Sequence, residues 1–336
     1  MKKIFAIVLT LSLGISLIGC GNSGEKETVK TERAASVAKG TLKEDSTVIA
    51  VGSSKVTYQE YLIYSYLLRS KYDSMLSKDV WSYSLGEGRT VGTEAIEEIV
   101  RLIIQLKVIS KAAASQNVGV AVDDREDIAY QVEQYMQRVS DEEKQKYGLT
   151  AKALTDVLAE NELARIMYDI VTGKVDVNVR DEQARTAKVQ MIHLMSKGTD
   201  KNGEEVNLDD SAKSALYEQA VSLQQQVKKS GNFYSLAEQN SSIAQVDFLL
   251  GFEDVPTDVV NAAFALKPEQ ISEVITADDG FYIIKCISID DADAVKQHRA
   301  EIILERQTKA FQASYENWAE NYEVKVSKSL LGQELK

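Results

Sequence analysis

The chain has 336 residues and a net charge of −12, from 39 lysines and arginines against 51 aspartates and glutamates. So acidic a body argues against a nucleic-acid surface and against a face that hugs a membrane, since both collect cations. Two histidines, His193 and His298, and no CxxC or HExxH spacing argue against a zinc or haem centre, so no cofactor is expected.

Lys2 and Lys3 precede an apolar run from Ile4 to Ile18, broken only by Thr10, Ser12, Gly14 and Ser16. This is a charged start followed by an apolar stretch too short to span a bilayer, which takes about 20 such residues. It ends in Leu17-Ile18-Gly19-Cys20, which resembles the lipobox of bacterial lipoproteins, with a small residue before the cysteine that takes a diacylglyceryl thioether. Residues 1–19 are therefore expected to be a lipoprotein signal peptide and Cys20 the lipidation site, holding the chain at the extracytoplasmic face of a bacterial cell membrane. Stable anchoring takes two acyl chains, each buried methylene adding about 0.8 kcal/mol. Loss of Lys2 and Lys3 with the signal peptide takes the net charge from −12 to −14. With Cys20 lipidated, Cys286 has no intramolecular disulfide partner. Residues 20–45 carry few large apolar side chains and read as a flexible tether. About 290 residues remain, enough for two domains.

Val48 to Val51 and Val56 flank Gly52-Ser53-Ser54-Lys55, a strand and turn signal. Thr57-Tyr58-Gln59-Glu60 is a capping box that starts a helix at Tyr58, with Tyr61, Leu62, Leu68, Tyr72, Met75 and Leu76 at helical spacing. Gly86, Gly88 and Gly92 interrupt the chain, and Thr93 opens a second helix. Its Ile96, Ile99, Val100, Ile103, Ile104 and Leu106 are apolar around much of the girth, which places it centrally in a core. Asp123-Asp124-Arg125-Glu126 and Ser140-Asp141-Glu142-Glu143 repeat the capping pattern, and Leu149 with Leu154 brackets Thr150 as a hydrophobic staple. Residues 57 to 173 are thus expected to be almost wholly helical.

From Val175 the periodicity changes. Val189, Met191 and Leu194 mark a strand, Asn202-Gly203 a turn, Ser211 to Lys229 a helix stopped by Gly231, and Phe233 to Gln239 a short helix. A strand around Val246 to Leu250 and a helix from Asp258 to Phe264 follow. Two β-rich runs, Ile271 to Thr276 and Phe281 to Ile289, are joined by the hairpin signal Ala277-Asp278-Asp279-Gly280. The order β, α, α, β, α, β, β describes a small α+β domain. Ala294 to Tyr322 reads as one long helix, and Glu323 to Ser327 as an edge strand. The helix carries Ile302, Ile303, Phe311, Tyr315 and Trp318, which would lie in water unless it packs on the N-terminal helices, so the α+β domain is expected to be an insertion into a split helical domain.

Three stretches carry a family likeness: Val189-Gln190-Met191-Ile192-His193-Leu194, then Ala262-Ala263-Phe264-Ala265-Leu266-Lys267-Pro268-Glu269-Gln270-Ile271-Ser272, and Gly280-Phe281-Tyr282-Ile283-Ile284-Lys285. With the lipobox and the flanking helices, the chain resembles the PrsA-type foldase lipoproteins, related to the SurA-like chaperones, with an inserted parvulin domain. The resemblance implies an N-terminal helical chaperone domain at 46–187, a parvulin-like domain at 188–290, and a C-terminal helix and strand at 291–330 that complete the helical domain. It also implies peptidyl-prolyl cis/trans isomerase chemistry, with two facing histidines, a cysteine or aspartate beside them, and Met and Phe side chains around the proline ring. The partners implied are unfolded or partly folded secreted proteins, and the membrane through the lipid. No nucleic acid is implied, and a homodimer stays open.

His193 falls on the first of those histidines, but the second falls on Tyr282. The proline-pocket positions fall on Val255, Val259 and Phe264, where two valines leave a shallower seat. Asn240 or Ser241 lies nearest the acidic or thiol position. Plainer roles stand beside these: His193 as a buried, hydrogen-bonded histidine, Tyr282 as a packing residue, Phe264 and Leu266 as core, Cys286 as a small buried hydrophobe and His298 as a solvated side chain. Three functions follow: a surface-anchored chaperone whose parvulin domain is degenerate, an active prolyl isomerase of the same architecture, or a solute-binding lipoprotein of a transporter.

Overall fold

The computed structural model describes residues 42–331 apart from 74, 77, 87, 200–204 and 252–254. The expected signal peptide, Cys20, residues 20–41 of the expected tether and the Asn202-Gly203 turn lie outside the described residues. The fold is α+β, and the chain divides into two compact units, one before Asp176 together with residues after Arg306, the other spanning Asp176–Arg306.

The first unit opens with β1 (Thr47–Val51) and β2 (Ser54–Thr57), an antiparallel pair turned at Gly52, whose φ of 54° favours glycine. Thr57 caps α1 (Tyr58–Tyr72) by accepting from the Glu60 amide at 3.2 Å. Glu60 does not complete the expected box; its carboxylate goes to the Lys107 ammonium at 2.6 Å, a stronger charged partner. Nor does α1 reach Met75 and Leu76, which lie beyond it and are 71% and 49% exposed. A 3-10 turn (Lys78–Ser82) and the hairpin β3 (Ser84–Gly86) and β4 (Arg89–Thr90) lead to α2 (Val91–Ser115). Thr90, not Thr93, is its cap, because the two threonines bond each other's amides reciprocally. Ile96, Ile99, Ile103, Leu106 and Ile109 of α2 are all buried, which makes this helix the axis of the unit's core. α3 (Val122–Met136) begins at Ala121 with no side-chain cap; Asp123 and Asp124 instead place charge in its first turn, near the positive helix end. α4 (Asp141–Lys146) carries the Ser140–Glu143 box, and α5 (Ala151–Thr172) is capped by Thr150 with Leu149 and Leu154 buried on either side. Between α1, α2 and α5 the Lys107 ammonium also meets Glu160 at 2.8 Å, and Ser110 donates to the same carboxylate. Burial alone would lower the affinity of Lys107 for its proton, but the two carboxylates outweigh it and raise it.

The second unit runs through α6 (Asp181–Ala184), β5 (Ala187–Met195), the hairpin β6 (Lys197–Thr199) and β7 (Glu205–Asn207), α7 (Asp210–Ser230), α8 (Phe233–Asn240), β8 (Asp247–Leu250), α9 (Thr257–Ala265), β9 (Ile275–Ala277) and β10 (Gly280–Ile289). Gly231, at φ 69°, ends α7. The sheet order is β8-β5-β10-β9, with β5 and β10 antiparallel at its centre. Alternation sends Ile192, Leu194, Phe281 and Ile283 to one face, against α7 and α8. It sends Val189, Met191, Tyr282 and Ile284 to the other, against Val259 and Ala263 of α9. The strand expected from Ile271 starts only at Ile275; Ile271 makes an isolated bridge to Lys285.

The long helix α10 (Ala292–Ala319) gives its first part to the second unit and its last part to the first. Phe311 is buried in the first unit's core, its ring 5.2 Å from that of Tyr168, with Tyr315 and Trp318 packed beside it. Ile302 and Ile303, expected on the same face, fall within the second unit and are half-buried. His298 is half-buried too rather than solvated, with Nδ1 3.3 Å from the Ala184 carbonyl. β11 (Val324–Val326) pairs with the free edge of β1, giving the order β11-β1-β2, and α11 (Lys328–Leu331) buries Leu330.

Candidate functional site

His193 of β5 and Tyr282 of β10 are direct partners in the central ladder, and their rings stack at 4.0 Å with 12° between the planes. Gly280, the first residue of β10, makes the approach possible. Its φ is 148°, and a Cβ there would lie 2.1 Å from the Leu194 carbonyl oxygen, so no other residue fits without moving a strand. The hairpin tip is thereby drawn onto the end of β5, where the Ser196 amide donates to the Asp279 carbonyl at 2.9 Å.

This close approach brings the Asp279 carboxylate beside the polar edges of the ring pair. The Tyr282 hydroxyl donates to Asp279 Oδ2 at 2.6 Å, and His193 Nε2 lies 3.8 Å from the same oxygen. His193 Nε2 and Asp279 Oδ1 are both buried and lack a hydrogen-bond partner. His193 is 6% exposed, and burial lowers its proton affinity below the ordinary value, with the Asp279 charge pulling the other way. Burial first, then Asp279, pushes the Tyr282 phenol well up. At neutral pH the site therefore holds a neutral imidazole and a protonated phenol whose proton is already committed to Asp279.

The remaining candidates scatter around this pair. Ser241 accepts from the His193 backbone amide at 3.1 Å, and the Ser242 amide donates to the His193 carbonyl at 2.7 Å. Both serines thus hold the strand and not the imidazole, and the Asn240 side chain turns back to the Leu236 carbonyl of its own helix. Val255, Val259 and Phe264 cluster on the face that carries Tyr282. Val259 has no exposed surface, and the Arg185 guanidinium covers the Phe264 ring at 4.3 Å from its centroid. Cys286 is fully buried on β10, and burial pushes its thiol up. Counting along the chain points the acidic position to Asn240 or Ser241 and misses Asp279, which reads there only as part of a turn. The signal lay in the spacing: an aspartate directly before a glycine that must touch the neighbouring strand, and three residues before the ring that faces His193.

Residues 193–288 match the family model described as Rotamase, a PPIC-type PPIase domain. A foldase protein PrsA from Staphylococcus aureus is 24% identical over 206 residues, 58% of this chain and 63% of that protein. Its counterpart from Staphylococcus epidermidis is 25% identical over 183 residues, 51% of this chain and 55% of that protein. The chain thus spans about three fifths of the length of the curated relatives it matches. Among solved structures, the PrsA isomerase of Bacillus anthracis is similar at 18% identity, covering 65% of this chain and 95% of that one, with a TM-score of 0.36 that is too low to argue from. The three sequence stretches and the family match agree: residues 193–288 match a parvulin-type domain, carried on a chain that resembles the PrsA-type foldases.

Proposed function

We propose that this chain is an extracytoplasmic foldase, held at the outer face of a bacterial membrane by lipid on Cys20, which keeps unfolded or partly folded exported proteins from aggregating. Its parvulin-like domain isomerises prolyl bonds weakly or not at all. The observation that carries this reading is Tyr282 in the place of an imidazole, with its hydroxyl held by Asp279 at 2.6 Å. Prolyl isomerisation has a barrier near 20 kcal/mol, and an enzyme lowers it only by binding the twisted amide better than the planar one. A phenol whose proton is engaged and a neutral, buried His193 offer little to that twisted amide. At the ring seat, valines at 255 and 259 replace larger side chains, a loss whose ceiling is about 2 to 5 kcal/mol from the truncation of buried Met and Phe.

An active parvulin-type isomerase is the second reading, favoured by the unpartnered His193 Nε2 and Asp279 Oδ1 in the same place. The solute-binding alternative needs two α/β lobes, and the run of helices from α1 to α5 gives it no support. Aggregation of a chemically unfolded exported protein, followed by light scattering with and without the chain, tests the holding function; no suppression at equimolar chain sinks it. Anchoring is tested separately: Cys20→Ala should move the protein from the membrane fraction to the medium or leave it unprocessed, and unchanged detergent-phase partitioning would count against the lipid.

A further inference from the structure

Single exposed apolar side chains are ordinary, but the first unit gathers several at one end. Of the thirteen large hydrophobic side chains exposed among the described residues, four lie between Met75 and Leu85: Met75, Leu76, Tyr83 and Leu85. The segment that carries them is ordered by a buried ring. Trp81 is 5% exposed, packs edge-on against Tyr72 at 6.2 Å between centroids, and donates its indole N–H to Asp73 at 2.7 Å. The Arg69 guanidinium covers the same indole, 5.5 Å from its centroid. The Met75 and Leu76 amides turn back to the Tyr72 carbonyl at 2.9 and 2.8 Å, and the Val91 amide donates to the Tyr83 carbonyl at 3.0 Å. Both apolar pairs are thus held close along the chain to the Tyr72–Trp81 contact, with their side chains outside the core.

The local chemistry suits a lipid surface. β3 and β4 have three and two residues, too short an edge to template a strand from a peptide or a second chain. Met, Leu and Tyr side chains without such an edge make a non-directional contact, as interfacial membrane segments do, with tyrosine at headgroup depth. The neighbouring charges are matched, Arg69 with Asp73 at 3.5 Å and Arg89 with Glu94 at 3.3 Å, so they add no cationic field. Reach allows the contact too. α1 starts beside the first described residues, its Tyr58 and Gln59 amides donating to the Ser46 and Glu44 carbonyls. Its 15 residues carry the chain about 22 Å to Asp73. Residues 21–41 extend up to about 70 Å from a lipid on Cys20, well beyond that length.

We propose that Met75, Leu76, Tyr83 and Leu85 form an apolar tip that dips into the membrane surface beside the lipid anchor, a second contact that fixes which end of the first unit meets the bilayer. The inference rests on the anchoring proposed above. In so acidic a chain the contact is apolar and not electrostatic: anionic headgroups repel it, and salt relieves the repulsion.

The test uses the full chain, processed and lipidated in a bacterial host and reconstituted into phosphatidylcholine vesicles whose acyl chains carry nitroxide quenchers. An environment-sensitive fluorophore is placed at Leu85→Cys, or at Tyr130→Cys on α3 as an exposed control; Cys286 is buried and stays unlabelled. The Leu85 label should lose most of its fluorescence and the Tyr130 label almost none. Met75→Ser with Leu76→Ser, at two exposed positions, should remove most of the Leu85 quenching while the chain stays on the vesicles. Phosphatidylglycerol in the vesicles should weaken the quenching at low salt, and added salt should restore it. Equal quenching at the two labels overturns the proposal, as does quenching that phosphatidylglycerol strengthens and salt removes, which is the mark of a cationic face. So does a Leu85 signal that responds to a second copy of the chain or to an unfolded exported protein and not to vesicles. Vesicle-bound chain with an unquenched Leu85 label sinks the tip and leaves the anchor; a quenched label on chain that mass spectrometry shows to lack lipid sinks the anchor and leaves the tip.

Discussion

At His193 the decisive quantity is proton affinity. The ring is buried beside a phenol and a carboxylate, and burial sets its pKa below the ordinary 6.5. As pH falls through that ordinary value, the unfolded chain takes up a proton and the folded one does not. The stability of the second unit is therefore full above about pH 6.5 and declines below it, until the lower folded-state value is reached. Denaturant melts at about pH 7.5 and about pH 5.5 should show this loss, and His193→Phe should flatten it. An equal slope in the variant would mean that another group carries the dependence. Asp279→Ala should act on both rings at once. The Tyr282 pKa should fall toward its ordinary 10, and the His193 pKa should fall further as the neighbouring charge is lost, both read by NMR titration. The cost in stability should be about 1 to 2 kcal/mol, modest because the carboxylate is partly solvated. In the first unit, Lys107→Met leaves Glu60 and Glu160 facing each other without their cation. It should cost about 2 to 4 kcal/mol, and Glu160→Gln on the same chain should recover part of that.

Among the elements, the hairpin from β9 to β10 shows what was legible in the sequence and what was not. Its turn and the alternation of Phe281 to Ile289 could be read directly, because a period of two and an Asp-Gly pair are local signals. The approach of Gly280 to Leu194 is not local, and the placing of Asp279 beside His193 follows from it, so the third polar group of the site stayed hidden. The same contrast holds in the helices. Ser140 with Glu143 and Thr150 with Ala153 cap as their spacing implies. Glu60, with the same spacing, is taken by Lys107 from a helix far along the chain. Met75 and Leu76 kept the helical period after α1 had stopped, and the period alone gave no sign of the end. Gly280→Ala should cost on the order of 3 to 5 kcal/mol, since its Cβ would meet backbone that cannot yield like a side chain. A thermal melt reads this directly; a variant as stable as the parent would mean that the hairpin tip is not held against β5.

For the whole molecule, residues on both sides of the Asp176–Arg306 unit contribute to one core, since Phe311, Tyr315 and Trp318 pack with the residues of α1, α2 and α5. Replacing that unit by a short linker should leave a helical remainder that unfolds in a single transition and still suppresses aggregation. A remainder with no cooperative transition, beside an excised unit that folds alone, would show that the helices need the insert. The division of labour between holding and isomerisation is tested most directly by one measurement: the cis/trans exchange rate of a prolyl peptide, by NMR, with the wild-type chain and with His193→Ala. Wild type close to the uncatalysed rate, and indistinguishable from His193→Ala, is the expected result. Ordinary parvulin rates in the wild type that His193→Ala abolishes would contradict a degenerate site.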